Sequence, residues 1–104
     1  MSNTVVFRMS DSSELSTLDT KLRKAYTDNT KVRFVFDLTN LNLKGAGNIA
    51  KVLELVKKYK SEEHKLVCID IVCPKSHTMK RGLIKRCVKM AKIKKPVYII
   101  EKYN

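Results

Sequence analysis

The stretch KVRFVFDLTNLNLKGAGNIAKVLELVKKYK, residues 31–60, decides the fold of this chain. It opens with a dense run of β-branched and aromatic residues that continues to Leu38, which is the composition and length of a buried strand. After a short segment of small and polar residues, apolar side chains recur every three or four positions from Ile49 to Tyr59. That spacing is typical of one face of an amphipathic helix. The stretch therefore predicts a strand, a loop and a helix in succession.

The same alternation continues on both sides of this stretch. The predicted strands cover residues 4–9, 32–38, 66–73 and 97–103. The predicted helices cover residues 15–26, 49–59 and 76–95. The order β-α-β-α-β-α-β predicts a single α/β domain over residues 1–104, an open and mainly parallel four-stranded sheet packed with three helices. The strand at residues 4–9 is short and carries Arg8, so we expect it at an edge.

Side chains alternate across each strand, so the two inner strands are predicted to have one apolar and one mixed face. The apolar set is Val32, Phe34, Phe36, Val67, Ile69 and Ile71. The mixed set is Arg33, Val35, Asp37, Leu66, Cys68, Asp70 and Val72. We expect the helices on the apolar face, which leaves the mixed face partly open. That face and the edge strand are the predicted routes to a homo-oligomer.

The segment FDLTNLNLKGAGNIAKVLEL, residues 36–55, resembles STAS domains, the fold of anti-anti-sigma factors and sulfate-transporter tails. In that family an apolar strand ends in Asp-Leu-Ser/Thr, and a loop of the type Asp-Ser-Ser-Gly opens an amphipathic helix. Here the strand ends in Asp37-Leu38-Thr39, and residues 66–100 are similar to the family's next strand, helix and last strand. The resemblance covers about residues 15–100 and implies a STAS-like scaffold with a role in protein interaction.

The loop that corresponds to the family's phosphorylation site is Gly45, Ala46, Gly47 and Asn48. The resemblance aligns the family's two loop serines with Ala46 and Gly47, and its loop aspartate with Gly45. Because a phosphoryl switch needs a hydroxyl, we expect no phosphorylation in this loop, although Thr39 and Ser76 carry hydroxyls elsewhere. Two interpretations of the loop stay open: backbone N–H groups that cradle an anion at a helix N-terminus, or a tight turn that uses glycine's permissive dihedrals.

The chain carries 22 basic and 10 acidic residues, a net charge of +12, and the excess is concentrated in residues 75–95, which hold nine basic residues and no acidic one. Along the predicted third helix the basic side chains fall opposite an apolar arc. That arc consists of Met79, Leu83, Ile84, Cys87, Met90 and Ala91. The candidate docking residues are Arg81, Lys85, Arg86, Lys89, Lys92, Lys94 and Lys95.

Three interpretations of this charge are open. The first is a docking surface for an acidic protein partner or a polyanion, because a concentrated basic field attracts polyanions. The second is sequence-independent binding or packaging of nucleic acid, through phosphate contacts alone because this helix has no aromatic residue for base stacking. The third is a solvated surface that serves solubility. The apolar arc is expected to be consumed by core packing, which leaves no surplus for binding a membrane surface.

Residues that could support catalysis or bind a metal are few, and we predict no enzymatic activity, cofactor or metal. Asp37 and Asp70 could act as a general acid and base, but Arg33 could equally neutralise them. Zinc-like spacing links His64, Cys68, Cys73 and His77, yet two cysteines five apart on one strand face opposite ways.

The sequence also bears on the compartment. An odd number of cysteines, three, favours reduced thiols and a cytoplasmic or other reducing compartment. Neither a membrane span nor a signal peptide is predicted.

Overall fold

The computed structural model describes residues 3–11 and 14–102. Four parallel strands alternate with helices, which confirms the predicted α/β class. The strands are β1 Asn3–Arg8, β2 Val32–Asp37, β3 Leu66–Val72 and β4 Val97–Ile100. The helices are α1 Leu15–Asp28, α2 Leu43–Ala46, α3 Ile49–Lys58 and α4 Thr78–Ala91, with a 3₁₀ helix at Lys60–Lys65. Tyr103, the predicted end of the last strand, lies outside the described residues.

The strands lie in the sheet in chain order, β1-β2-β3-β4, and every neighbouring pair is parallel. The prediction that β2 and β3 are the inner strands and that β1 is an edge is therefore confirmed. Each crossover steps to the next strand in the same direction. Because such crossovers are right-handed, they place the helices on one face of the sheet.

The main core lies between that face and the helices. Phe34 and Phe36 of β2 are completely buried, as are Leu22 of α1, Leu53 of α3 and Ile84 of α4. Burial of each such side chain contributes roughly 1.5–3 kcal/mol to folding before the cost of ordering it. The regular three- and four-residue spacing in the helices and the period-2 alternation in β2 are thus explained by one shared apolar layer.

Two assignments in the predicted pleat, those of Leu66 and Val67, are wrong. An irregularity between Val32 and Arg33 shifts the register of β3, so that Val32 lies opposite Leu66 and Arg33 lies opposite Cys68. A bulge adds one residue to a strand and reverses the alternation beyond it. Leu66 therefore belongs to the core, whereas Val67 is 42% exposed.

The other face of the sheet is mixed, as predicted. Val35 and Val72 are buried there, outside the main core cluster. Asp70 is also buried and forms an ion pair with Arg33, whose Nε lies 2.7 Å from the carboxylate. The pair joins the two inner strands, β2 and β3. Self-association through this face or the β1 edge stays a prediction.

The predicted apolar arc of α4 is rotated relative to the observed one. Met79 and Met90 are 74% and 73% exposed, so they do not belong to the core. The side that faces the core carries Lys80, Ile84 and Ala91, at the four- and seven-residue steps of a buried helical stripe. The error arose because a lysine fills a core-facing position, which an apolar pattern cannot reveal.

Candidate docking face on helix α4

Helix α4 is stopped by a change of backbone conformation rather than by a favourable capping residue. Lys92, its C-terminal cap, has φ 52° and ψ 51°, the left-handed conformation. Glycine or asparagine usually takes this position, because a Cβ atom is strained there. The conformation turns the chain from α4 toward Lys94, Lys95 and strand β4. Basic side chains therefore continue past the end of the helix.

The structure brings most of the predicted basic residues together on one exposed surface. We define the basic face as Lys85, Arg86, Lys89, Lys92 and Lys94, all of which are exposed. The ion pairs among residues 3–11 and 14–102 lie elsewhere and use none of them. The basic face is therefore uncompensated positive charge.

Two predicted members of this set are less available than the others. Arg81 is half-buried, and its Nη1 donates to the carbonyl oxygen of Cys73 at 2.6 Å. This bond ties the start of α4 to the carboxyl end of β3. Lys95 is half-buried as well. Neither residue is counted in the basic face.

Exposed apolar side chains lie beside the basic face, contrary to the expectation that packing consumes them. Met79 lies near Leu43 of α2, itself 44% exposed, in a shallow depression between α2 and α4. Met90 lines a second depression of about 280 Å³ with Ala50 of α3 and Cys87. The exposed methionines are 11 residues apart, or about 16 Å at 1.5 Å per residue. Helix α4 therefore presents an apolar margin next to its charges.

Lys80 is the important residue that sequence reasoning missed. It is 5% exposed, and its ammonium donates to the carbonyl oxygens of Leu38 at 2.8 Å, Thr39 at 3.2 Å and Leu41 at 2.9 Å. All three N–H donors of the ammonium are thus used. Lys80 fastens α4 to the segment between β2 and α2, and so fixes where the docking face lies on the sheet. Its four-residue step to Ile84 agrees with the core side of α4, but an apolar pattern passes over a lysine at that position.

The segment Gly45, Ala46, Gly47 and Asn48 is not an open loop: the first two residues end α2, and the last two form a turn of right-handed backbone that leads into α3. The first two N–H groups of the segment donate to the side-chain and backbone oxygens of Asn42, and the last two donate to the carbonyl oxygens of Lys44 and Gly45. They are therefore not directed at an anion. No glycine among the described residues has a positive φ, so the interpretation as a turn requiring glycine's permissive dihedrals is wrong. Ala46 is fully buried. The geometry therefore supports neither interpretation of this segment.

Each of the two carboxylates that could have formed a catalytic pair is engaged by another group. Asp70 lies opposite Val35, whereas Asp37 lies opposite Val72, so the two are diagonal neighbours. Asp70 is bound by Arg33, while Asp37 accepts hydrogen bonds from the N–H of Thr39 at 3.0 Å and its hydroxyl at 2.6 Å. The Arg33–Asp70 contact joins two neighbouring strands, and the Asp37–Thr39 contacts hold the backbone that follows β2.

The cysteines and histidines do not converge. Across the parts of the chain that the structure describes, no group of three or more possible ligands could hold a metal ion. Cys73 lies in the core and Cys68 on the mixed face, as the strand alternation predicted. Burial is the main cause that raises the pKa of each thiol. All three cysteines are free.

No family model matches the chain, and no curated protein or solved structure is similar enough to count as a match. The resemblance to STAS domains therefore stays a prediction from the segment at residues 36–55. None of the described helices has the length and apolarity needed to cross a bilayer.

Proposed function

We propose that this protein is a non-enzymatic docking module that binds an acidic protein partner, or a polyanion, through helix α4. The observation that carries the proposal is the basic face, whose cations form no ion pair within residues 3–11 and 14–102. Five like charges on one surface repel each other, so an acidic ligand relieves that repulsion when it binds.

The exposed methionines favour a protein partner over duplex DNA. Met79 and Met90 lie along the same helix as the basic residues and are the most exposed of the large apolar side chains described. Methionine is flexible and polarisable, which suits it to contacts with apolar side chains of a partner. A phosphate backbone offers no such contacts. The combination predicts a partner surface with acidic residues around an apolar centre.

Sequence-independent binding of nucleic acid is the second candidate, supported by the same uncompensated charge. In that case affinity must fall steeply with salt, with a slope of about −0.9 per phosphate contacted in a plot of log affinity against log salt. Mixed-sequence duplexes should be bound alike, because α4 has no aromatic residue and no element for reading bases is evident.

The test uses two variants and one control in the full chain. The basic-face variant is Lys85→Gln/Lys89→Gln/Lys92→Gln, and the apolar variant is Met79→Gln/Met90→Gln. The control Lys21→Gln/Lys75→Gln/Lys102→Gln removes the same charge from exposed positions elsewhere. Each is assayed for retention of mixed-sequence duplex DNA and heparin against salt, and for pull-down from the native source with and without nuclease.

The two candidates give different results. Docking to a protein predicts an acidic partner that survives nuclease and is lost in both test variants but kept by the control. Binding of nucleic acid predicts DNA retention that is insensitive to the methionine changes, with a slope flattened by about two to three units in the basic-face variant. If the basic-face variant and the control bind the partner, DNA and heparin equally well, helix α4 is not the binding surface.

A further inference from the structure

A cleft of about 380 Å³ opens where α3 and α4 end and β3 begins. Its apolar walls include Tyr26, Tyr59, Leu66 and Ile93. The ring centroids of the two tyrosines are 5.7 Å apart. Volumes of about 300 Å³ and above are typical of sites for small molecules, which combine apolar walls with a few polar groups. The cleft meets both conditions.

Four lysines line the same cleft: Lys57, Lys60, Lys92 and Lys94. Lys57 lies 3.7 Å from the carboxylate of Glu54, but the other three form no ion pair within the described parts of the chain. Glu63 is the one carboxylate among the described lining residues. The cleft therefore carries an excess of positive charge above an apolar floor.

Lysines near helix ends also stabilise the helix dipole, which gives Lys57 and Lys92 a structural role. That role does not require Lys60 and Lys94, which lie outside α3 and α4. It also does not explain the left-handed backbone at Lys92, where glycine would avoid strain. Lys92 therefore lines the cleft from a strained backbone position, and backbone strain of this kind is concentrated at functional sites.

Tyr59 is held in place before any ligand arrives. Its hydroxyl donates to the carboxylate of Asp19, which also accepts from Lys58 at 3.0 Å. The hydrogen bond from Tyr59 is the largest cause that lowers the pKa of Asp19, so the carboxylate stays ionised and keeps the ring anchored. A fixed aromatic surface costs little to bind against, because few rotamers are lost.

We propose that this cleft binds a nucleoside phosphate, with the phosphate near Lys60, Lys92 and Lys94 and the base against Tyr59. A compact phosphate matches the lysine ammoniums as point charges. An aromatic base suits the tyrosine ring and the aliphatic walls. The same chemistry is offered by a free nucleotide and by the phosphorylated end of a single strand. The proposal goes beyond the docking function, although Lys92 and Lys94 belong to both surfaces.

The test titrates the isotopically labelled full chain with AMP, adenosine or inorganic phosphate, followed by amide chemical shifts. The cleft variant is Lys60→Gln/Lys94→Gln, and the matched control is Lys75→Gln/Lys102→Gln, whose exposed lysines follow the carboxyl ends of β3 and β4. We expect AMP to shift residues around Tyr59, and the cleft variant to lose about tenfold in affinity. The control should stay within about twofold.

Adenosine and inorganic phosphate should each bind at least about tenfold more weakly than AMP, because each lacks one of the two contacts. Tyr59→Leu should weaken AMP binding, whereas Tyr59→Phe keeps the ring and should retain most of it. A 5′-phosphorylated single-stranded oligonucleotide that is equally sensitive to the cleft variant identifies a strand end as the ligand. If AMP binds and the oligonucleotide does not, the free nucleotide is the ligand.

Three results would overturn the proposal: no AMP binding at millimolar concentration, inorganic phosphate binding as tightly as AMP, or equal losses in the cleft variant and the control. A further variant, Lys85→Gln/Lys89→Gln, separates this proposal from the docking function. It should reduce retention on heparin while leaving AMP affinity within about twofold, because neither lysine lines the cleft. Either function can therefore fail without the other.

Discussion

Replacing Lys80 with methionine tests the clamp between α4 and the segment that follows β2. Methionine is apolar and of similar length, so it fills the buried volume but supplies no donor. The change removes the bonds to the carbonyl oxygens of Leu38, Thr39 and Leu41 together. The Leu38 carbonyl keeps a partner, because it also accepts from the N–H of Leu41 at 3.1 Å.

The expected loss of stability in Lys80→Met comes from the carbonyl oxygens of Thr39 and Leu41. A buried acceptor left without a partner costs about 1–3 kcal/mol, which gives roughly 2–6 kcal/mol for Thr39 and Leu41. Relief from burying the ammonium of Lys80 offsets part of this. We expect Lys80→Met to lower the free energy of unfolding by about 3 kcal/mol, a large share of the 5–15 kcal/mol typical of a domain.

The measurement is urea unfolding followed by far-ultraviolet circular dichroism. With m of about 1–3 kcal/mol/M for small domains, the midpoint should fall by between roughly 1 and 3 M. Lys80→Gln keeps an amide donor, so its urea midpoint should lie between those of the wild type and Lys80→Met. The control Lys85→Met changes an exposed lysine of the same helix and should stay within about 0.5 kcal/mol.

A Lys80→Met protein within about 0.5 kcal/mol of the wild type would refute the clamp. A loss as large in Lys85→Met would also refute it, because the cost would then come from removing any lysine of α4.

Three further predictions concern other contacts. Gly45→Ala should change stability by less than about 1 kcal/mol in urea unfolding, because the new Cβ would come nearest to the exposed carboxylate of Asp11, at 2.5 Å, which can turn away, and because alanine is the better helix former. A loss above about 2 kcal/mol would show instead that the Asp11 side chain is held in place. Arg33→Met should lower the free energy of unfolding by about 1–3 kcal/mol, because it leaves Asp70 buried without a partner. The double variant Arg33→Met/Asp70→Asn should recover most of that loss, and a double variant no more stable than the single one would contradict the pairing. Burial, with the nearby glutamates, raises the pKa of Tyr26 to about 12, so the stability that its neutral hydroxyl contributes is present below about pH 10 and lost as the pH rises toward 12. Tyr26→Phe should reduce this alkaline fall in the urea unfolding midpoint, and an unchanged dependence of the midpoint on pH would contradict the prediction.

The local pattern of the sequence determined the order of elements and the identity of the inner strands. Nearly continuous apolar runs such as residues 66–73 occur when a strand is buried between neighbours. The three- and four-residue spacing around Leu53 occurs when one side of a helix faces a core. These periods are properties of a single element. They are therefore visible without knowing what that element packs against, and together they predicted a parallel α/β sheet.

Features that depend on two distant segments were decided by the tertiary structure. The bulge beside Val67 depends on the register between β2 and β3, and the burial of Lys80 depends on carbonyls some forty positions earlier in the chain. The cleft joins Tyr59 of one crossover to Lys92 of the next. In the last two cases a polar or charged side chain acquires its role from a partner remote in sequence. A periodic pattern records the polarity of a position but not the partner that makes a buried charge stable there.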